Sequence, residues 1–584
     1  MLSITKIFPF LKWFPMSRGN LQADLIAGIT VALVLIPQSM AYANLAGLPA
    51  YYGLYAAFLP GAVAALFGSS RQLATGPVAV VSLLTASALL QFAQPGTDAF
   101  VSLAILMSLL IGAVQLTLGL LRLGVVVNFL SHPVILGFTN AAALIIGLSQ
   151  LSKIFGVKMG RSEHFLVDIW GVMQQVHLTH LPSLVFGVVS FAMMWTLKKY
   201  RPKLPNVLIA VALTTLASWL MGFQEMGGKV VGQIPQGLPT LTLPQLDLHL
   251  MGSLLSSALI ISLVGFMEAI SIAKAMAART RDCIDPNQEL IGQGLGNLIG
   301  SFTQAYPTSG SFSRSAVNLD AGAKSGFASV VTTIMVLLTL LFLTPLLYHL
   351  PEAVLAAVIM MAVVGLINVK AIMHAWHANR HDGVAAIATF FASLAFAPHL
   401  DKGIFFGAGL AIILFLYRTM SPRVAQLGLF SDGTLRDVAV HPQLPTDPEI
   451  IALRFDGQLY FANVSYFEEM VLNAVSAKPN AHYLLLVCDG INQMDASGEE
   501  VVRHLVERVS KNGMTVIFSG VKRQIMMVMQ ATGLFDLVDG EKNIFSTEQA
   551  ALSNIYDRLG SGKQRLLLGI PMEVRKEISA DCRA

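Results

Sequence analysis

The chain has 584 residues, of which 54% are hydrophobic and 12% charged, with a mean hydropathy of +0.65. Soluble domains carry about 25% charged residues, so a soluble enzyme is excluded and a bilayer is the expected solvent. A net charge of +4, spread over loops, excludes a nucleic-acid surface.

The average conceals a division. Residues 1–423 hold 23 Lys/Arg and 14 Asp/Glu, about 9% charged, whereas residues 424–584 hold 15 and 20, about 22%. Lipid and then water are the expected surroundings. The basic, aromatic segment 1–20 lacks a continuous apolar core followed by a small-residue cleavage site, and reads as a retained interfacial helix on the cytoplasmic side. Cys283, Cys488 and Cys582 form neither a paired framework nor a CxxC spacing. They read as incidental thiols, and no metal or other cofactor is expected.

Apolar runs follow, centred near residues 33, 60, 83, 110, 141, 190, 212, 262, 294, 313, 336, 360, 390 and 411. A spanning helix needs roughly 20 apolar residues, so these fourteen segments, several of them short, predict a polytopic α-helical membrane protein over 21–420. An even count puts both termini on one side. With Arg314 set aside, segments assigned to the inside carry seventeen Lys/Arg, among them Lys6, Lys198, Lys203, Lys274 and Arg380. Those outside carry five: Lys153, Lys158, Arg161, Lys229 and Lys402. Positive residues stay inside, so the termini are expected in the cytoplasm of a multi-pass inner- or plasma-membrane protein.

Two segments are interrupted. Thr75-Gly76-Pro77-Val78-Ala79 and Ser309-Gly310-Ser311-Phe312-Ser313-Arg314 put helix breakers and polar residues where continuous spans should run, and predict half-helices in spans 3 and 10. Their surroundings correspond. Gly68-Ser69 and Gly300-Ser301 precede them, and Gln38 and Glu268 stand at similar distances before those glycines. Glycine and proline are common in membrane helices, but the paired spacing points to 7+7 inverted repeats, in which paired broken helices mark a midplane site.

After a linker over 421–436, Ile450–Phe455, Tyr483–Cys488 and Met514–Phe518 read as short strands. Val501, Val502, Leu505 and Val509 share a helix face, and Ser546-Thr547-Glu548-Gln549 reads as a helix start. Residues 437–560 are therefore expected to form an α/β domain, and 561–584 a flexible tail.

The second break carries the strongest chemical signal. Amides at a helix start lack intrahelical acceptors, and the dipole adds about half a positive charge there. With the Ser311 and Ser313 hydroxyls they form an anion cradle at bilayer depth. The amides of Val78 and Ala79 offer the same from the opposite direction. Arg314 lies within the break, where a guanidinium costs roughly 2.5–3.5 kcal/mol on insertion scales. It either holds an oxyanion by its planar fork or snorkels to the cytoplasmic edge. Glu268 is the only carboxyl deep in its span, and burial disfavours a charged carboxyl. It carries a proton, ligates sodium, or is a structural carboxylate bonded to backbone at a helix break. Gln38 and Tyr42, four apart on one face, offer a polar ligand an amide and a ring edge, or bond a neighbouring helix. Gly292, Gly294 and Gly296 have no preceding strand and predict close helix packing. His374, His377 and His381 read as a solvated loop.

Ile36-Pro37-Gln38-Ser39-Met40-Ala41-Tyr42-Ala43, Leu45-Ala46-Gly47-Leu48-Pro49, Gly68-Ser69-Ser70-Arg71-Gln72 and Gly76-Pro77-Val78-Ala79-Val80 closely resemble the sulfate permease (SulP) family of anion transporters. Ser309–Ser315 resembles its second broken helix, and Asp489 with Asp495-Ala496-Ser497-Gly498 the signature loop of a STAS domain. The resemblance implies a homodimer with a core of spans 1–4 and 8–11, a gate of spans 5–7 and 12–14, and elevator-type alternating access. It places substrate contacts at Gln38, Tyr42, Val78, Phe312, Ser313 and Arg314, and the coupling ion, proton or sodium, at Glu268. Gln38 stands where some proton-coupled relatives carry a carboxylate. Ser497 lines up with a serine phosphorylated in soluble STAS proteins, a candidate regulatory site; the alternative there is a structural helix start with a docking surface for a cytoplasmic protein. The expected function is proton-coupled sulfate uptake. The alternatives are sodium- or proton-coupled bicarbonate or C4-dicarboxylate transport, an anion channel, or a membrane scaffold for STAS signalling.

Overall fold

The computed structural model describes residues 8–124, 131–160, 164–201, 204–244, 246–430 and 434–560. The expected tail 561–584 with Cys582, and the basic residues Lys6, Arg161 and Lys203, lie outside the described residues. The chain divides into two units, Met1–Ala411 and Ile412–Ala584.

The first unit is helical, with one two-stranded exception. The segment expected as an interfacial helix holds instead a 3-10 turn, Pro9–Trp13, since Pro9 and Pro15 supply no amide donor to continue a helix. The first long helix, α1 (Arg18–Leu45), starts where the Ser17 hydroxyl accepts from the Asn20 amide at 3.2 Å. It is followed by α2 (Tyr51–Phe67), β1 (Thr75–Gly76), α3 (Ala79–Leu89), α4 (Asp98–Leu120), α5 (His132–Ser149), α6 (Leu181–Tyr200) and α7 (Asn206–Leu220). The second half runs α8 (Leu248–Thr280), α9 (Pro286–Ser301), β2 (Ser309–Gly310), α10 (Phe312–Asp320), α11 (Phe327–Leu338), α12 (Glu352–Val364), α13 (Val369–Ala378), α14 (Arg380–Phe396) and α15 (Leu400–Met420). Each of the fourteen apolar runs is centred on one of these helices. Eight helical stretches among the described residues are long and apolar enough to cross a membrane.

Small residues set how closely these helices approach. A β-carbon on Gly292 would stand 2.7 Å from the Gly68 Cα, and one on Gly294 2.6 Å from the Leu116 nitrogen. Helix α9 thus lies backbone to backbone against α4 and the end of α2, the packing that membrane helices reach only with small side chains.

In the second unit a six-stranded sheet has the order β4-β3-β5-β6-β7-β8, formed by β3 (Arg423–Leu429), β4 (Leu435–Asp437), β5 (Ile450–Asp456), β6 (Tyr483–Val487), β7 (Thr515–Ser519) and β8 (Ile544–Phe545). The last four pair in parallel. Successive side chains alternate between faces. Leu453, Leu486 and Phe518 pack under α16 (Val464–Ala477), α17 (Ala496–Lys511) and α18 (Arg523–Thr532). Ala452, Leu485 and Ile517 pack under α19 (Glu548–Leu559), whose start is capped by Thr547. The segment 421–436, expected as a linker, supplies β3 and most of β4. Ala425 and Leu427 are core residues, and β3 pairs antiparallel with both neighbours. The sheet begins at Arg423, not after 437.

Candidate functional site

Both interruptions form a single element. Thr75 pairs with Gly310 and Gly76 with Ser309 in an antiparallel ribbon, and each strand leads within a few residues into a helix. Helix α3 starts after Pro77 with Val78 as N-cap, and α10 starts after Ser311; no side chain caps either. The first amides of both helices therefore have no acceptor within the helix, and both positive dipole ends adjoin one ribbon. The pairing extends beyond the strands. The Ser311 amide donates to the Ala74 carbonyl at 3.0 Å, and the Ala74 amide to the Ser315 hydroxyl at 2.9 Å. The Ser311 amide is thus engaged, and the first-turn amides from Phe312 onward are the ones left to a ligand.

Arg314, in the first turn of α10, is 0% exposed. Its guanidinium does not reach the surface, and none of its three side-chain nitrogens has a hydrogen-bond partner among the described residues. It lies against β1, since a β-carbon on Gly76 would stand 3.4 Å from Nη2. Tyr42, Tyr306 and Glu268 are within its electrostatic reach. Glu268 sits in α8, which runs unbroken past it, and its Oε2 is buried without a partner; the helix break required by a structural role is absent. Gln38 is buried in α1 with Oε1 unpartnered, and Tyr42 is buried one turn on. Ser311 and Ser313 place their hydroxyls 3.3 Å apart, while Phe312 is 59% exposed. One guanidinium and two uncapped helix starts thus gather at one ribbon, with a single carboxyl, Glu268, within the guanidinium's electrostatic reach.

Behind the ribbon, α9 presents a ladder that the sequence reading missed. The Glu289 carboxylate accepts from the amides of Ser69 and Ser70 at 2.9 and 3.0 Å and from the Ser69 hydroxyl at 3.1 Å. One turn on, Gln293 donates to the Thr75 hydroxyl at 2.7 Å. One further turn on, the Asn297 Oδ1 accepts from the Thr308 amide at 2.8 Å, and its Nδ2 donates to Gln115 at 3.1 Å. One helix face therefore fastens the approach to β1, β1 itself and the approach to β2. The available signal was three polar residues four apart in an apolar run. Tyr306, which shares a hydrogen bond with Ser82 of α3 at 3.2 Å, carried no such signal.

Ser497 belongs to the second unit. It lies partly exposed in the first turn of α17, whose N-cap Asp495 accepts from the Gly498 amide at 2.8 Å. His374 and His377 are exposed on α13.

Residues 21–389 match the sulfate permease family, and residues 441–551 match the STAS domain. The chain is 34% identical over 557 residues to the chloroplastic sulfate transporter 4.1 of Arabidopsis thaliana, covering 92% of this chain and 81% of the relative. It is 31% identical to the high affinity sulfate transporter 2 of Stylosanthes hamata, over 95% and 87%. The fold matches the murine Slc26a9 anion transporter in its inward-facing state, with TM-score 0.87, 24% identity and 94% of each chain covered. It also matches the transmembrane domain of the cyanobacterial bicarbonate transporter BicA, with TM-score 0.56, 23% identity, and 68% of this chain and 98% of the other covered.

Proposed function

The chain belongs to the sulfate permease family, and on that footing we propose that it is a secondary active transporter taking up sulfate with protons. The observation that carries the reading is Arg314, a fully buried guanidinium without a hydrogen-bond partner, beside two uncapped helix starts joined by one ribbon. An unpaired buried charge is costly, and an oxyanion removes that cost while accepting from the free amides. Sulfate as the substrate comes from the names of the relatives.

In this reading the substrate lies between the Val78–Ala79 and Ser311–Arg314 helix starts, with Gln38 and Tyr42 closing the side formed by α1. Coupling follows from competition. An ionised Glu268 draws on the Arg314 charge that the anion needs, so a proton on Glu268 frees the guanidinium for substrate, and loss of that proton inside the cell favours release. The transport unit works as a homodimer with cytoplasmic termini. Its core of spans 1–4 and 8–11 moves against a gate of spans 5–7 and 12–14 in an elevator cycle built on 7+7 inverted repeats, and the STAS domain modulates transport, with Ser497 as its regulatory site.

The test is counter-flow in proteoliposomes with labelled sulfate, bicarbonate and dicarboxylates, under imposed proton and sodium gradients. Saturable sulfate counter-flow driven by a proton gradient supports the reading. Sodium-driven bicarbonate flux, ohmic current or no flux each replaces it, with a bicarbonate carrier, a channel or a scaffold respectively.

A further inference from the structure

Helix α13 (Val369–Ala378) has no buried residue, although it lies between two apolar helices. It is nevertheless held firmly. The Asn368 amide donates to the Oδ1 of buried Asn140 at 2.7 Å, and the Asn368 Oδ1 accepts from the Ala371 amide at 3.0 Å. At the other end the Asn379 side chain accepts from the His381 amide and starts α14. Gly383 then brings α14 so close that a β-carbon there would stand 2.7 Å from the Trp376 Cα.

Two faces of α13 are left exposed among the described residues of the first unit. One carries Val369, Met373 and Trp376 at helical spacing, 63%, 54% and 38% exposed. Beside it, also at helical spacing, stand Lys370, His374 and His377, all exposed, with exposed Arg380 just after. No acidic residue occurs between Glu352 and Asp382, so the fixed charges here, Lys370 and Arg380, are both positive. An apolar stripe flanked by a polar one with a basic residue at each end is the pattern of a helix lying in the headgroup region. The Trp376 indole suits that depth, and the Lys370 stem lets its ammonium reach outward. The two helices that flank it also carry exposed apolar residues, Val364 of α12 and Phe391 of α14.

We propose that α13 is an interfacial helix that seats Val369, Met373 and Trp376 among acyl chains and holds anionic phospholipid headgroups through Lys370, His374, His377 and Arg380. A juxtamembrane cation gains about 1 kcal/mol from an anionic surface, roughly a five-fold change in lipid binding.

The test uses the full-length protein in phosphatidylcholine vesicles with or without phosphatidylglycerol. Bimane placed at M373C should be quenched by brominated acyl chains, and bimane at H374C should be quenched much less. The phosphatidylglycerol content giving half-maximal tryptophan quenching by brominated phosphatidylglycerol should rise several-fold in K370Q, and further in the triple variant K370Q/H374Q/H377Q. Glycerophosphate and inorganic phosphate should leave the signal unchanged. An unquenched M373C label, equal quenching at both positions, wild-type lipid dependence in the triple variant, or displacement by the free phosphates each overturns the proposal. So does efficient M373C–M373C cross-linking between two copies, which assigns the face to a protein interface. These readouts do not depend on transport, so they stand or fall apart from the sulfate reading.

Discussion

Ser309 donates its hydroxyl to the Gly265 carbonyl at 2.7 Å, so the strand leading into the Arg314 helix is fastened to the helix that carries Glu268, one turn before that carboxyl. The tie uses a backbone carbonyl of α8 and a side chain of β2, and leaves the Arg314 and Glu268 side chains out of it.

The coupling reading predicts that Glu268→Gln, which nearly preserves shape but cannot release a proton, loses the response of sulfate uptake to an inward proton gradient while retaining counter-flow. Uptake measured in vesicles at several imposed gradients checks this. A mutant as steeply gradient-driven as wild type removes Glu268 from coupling.

Arg314→Ala should weaken sulfate binding by about ten- to a hundred-fold, since hydrogen bonds to charged groups contribute about 1.5–3 kcal/mol. Calorimetry on the folded mutant in detergent reads this directly. Unchanged affinity would leave the buried guanidinium without a role in binding.

Gln293→Leu removes the donor to Thr75, and Glu289→Ala leaves the Ser69 and Ser70 amides unpaired in a buried site. Each should lower stability by about 1–3 kcal/mol, read as a lower apparent melting temperature. Glu289→Gln, which keeps one acceptor oxygen, should recover part of the loss. If both ladder positions tolerate apolar residues at wild-type stability, α9 does not hold the ribbon.

Because β3 belongs to the sheet, the fragment 421–560 should be soluble and unfold cooperatively, while a fragment starting at 437 should aggregate. The shorter piece exposes the edge of β5 and removes the Arg423 partner of Asp437. Chain 1–420, which holds every candidate binding residue, should bind sulfate as the full chain does but transport more slowly. Size-exclusion profiles, calorimetry and vesicle flux decide this, and loss of binding by folded 1–420 would show that the STAS unit shapes the site.

Burial pushes the Cys488 thiol up to about 12 by disfavouring the thiolate. At pH 8 it is therefore protonated as well as covered, whereas Cys283 is exposed. In a Cys582→Ser background, iodoacetamide should modify Cys283 and spare Cys488 until the second unit is denatured. Peptide mass spectrometry showing equal native labelling would contradict that burial.

Several features were legible in the sequence because they are local. Gly76-Pro77 and Ser309-Gly310 weaken a helix, their paired spacing marked two breaks, and both helix starts were expected there. The pairing of Thr75 with Gly310 was not legible, because main-chain hydrogen bonds leave no mark on side-chain identity. Glu289 was passed over because its partners are amides in a distant loop, and an acid in an apolar run does not name such partners. Strand β3 was missed for a different reason. It follows the last membrane helix after only Ser421 and Pro422, and its alternation is shorter than the apolar run before it.

The donors left free at the starts of α3 and α10 are peptide groups, the same for every amino acid except proline. In the proposed site a substitution other than to proline leaves these donors in place, whereas the Arg314 guanidinium can be lost by a single change. What substitution does change there is the set of side chains beside those donors, Phe312 and Gln38 among them. If the proposed site is right, holding an anion and choosing among anions are written in different parts of the chain, the first in peptide groups and the second in side chains.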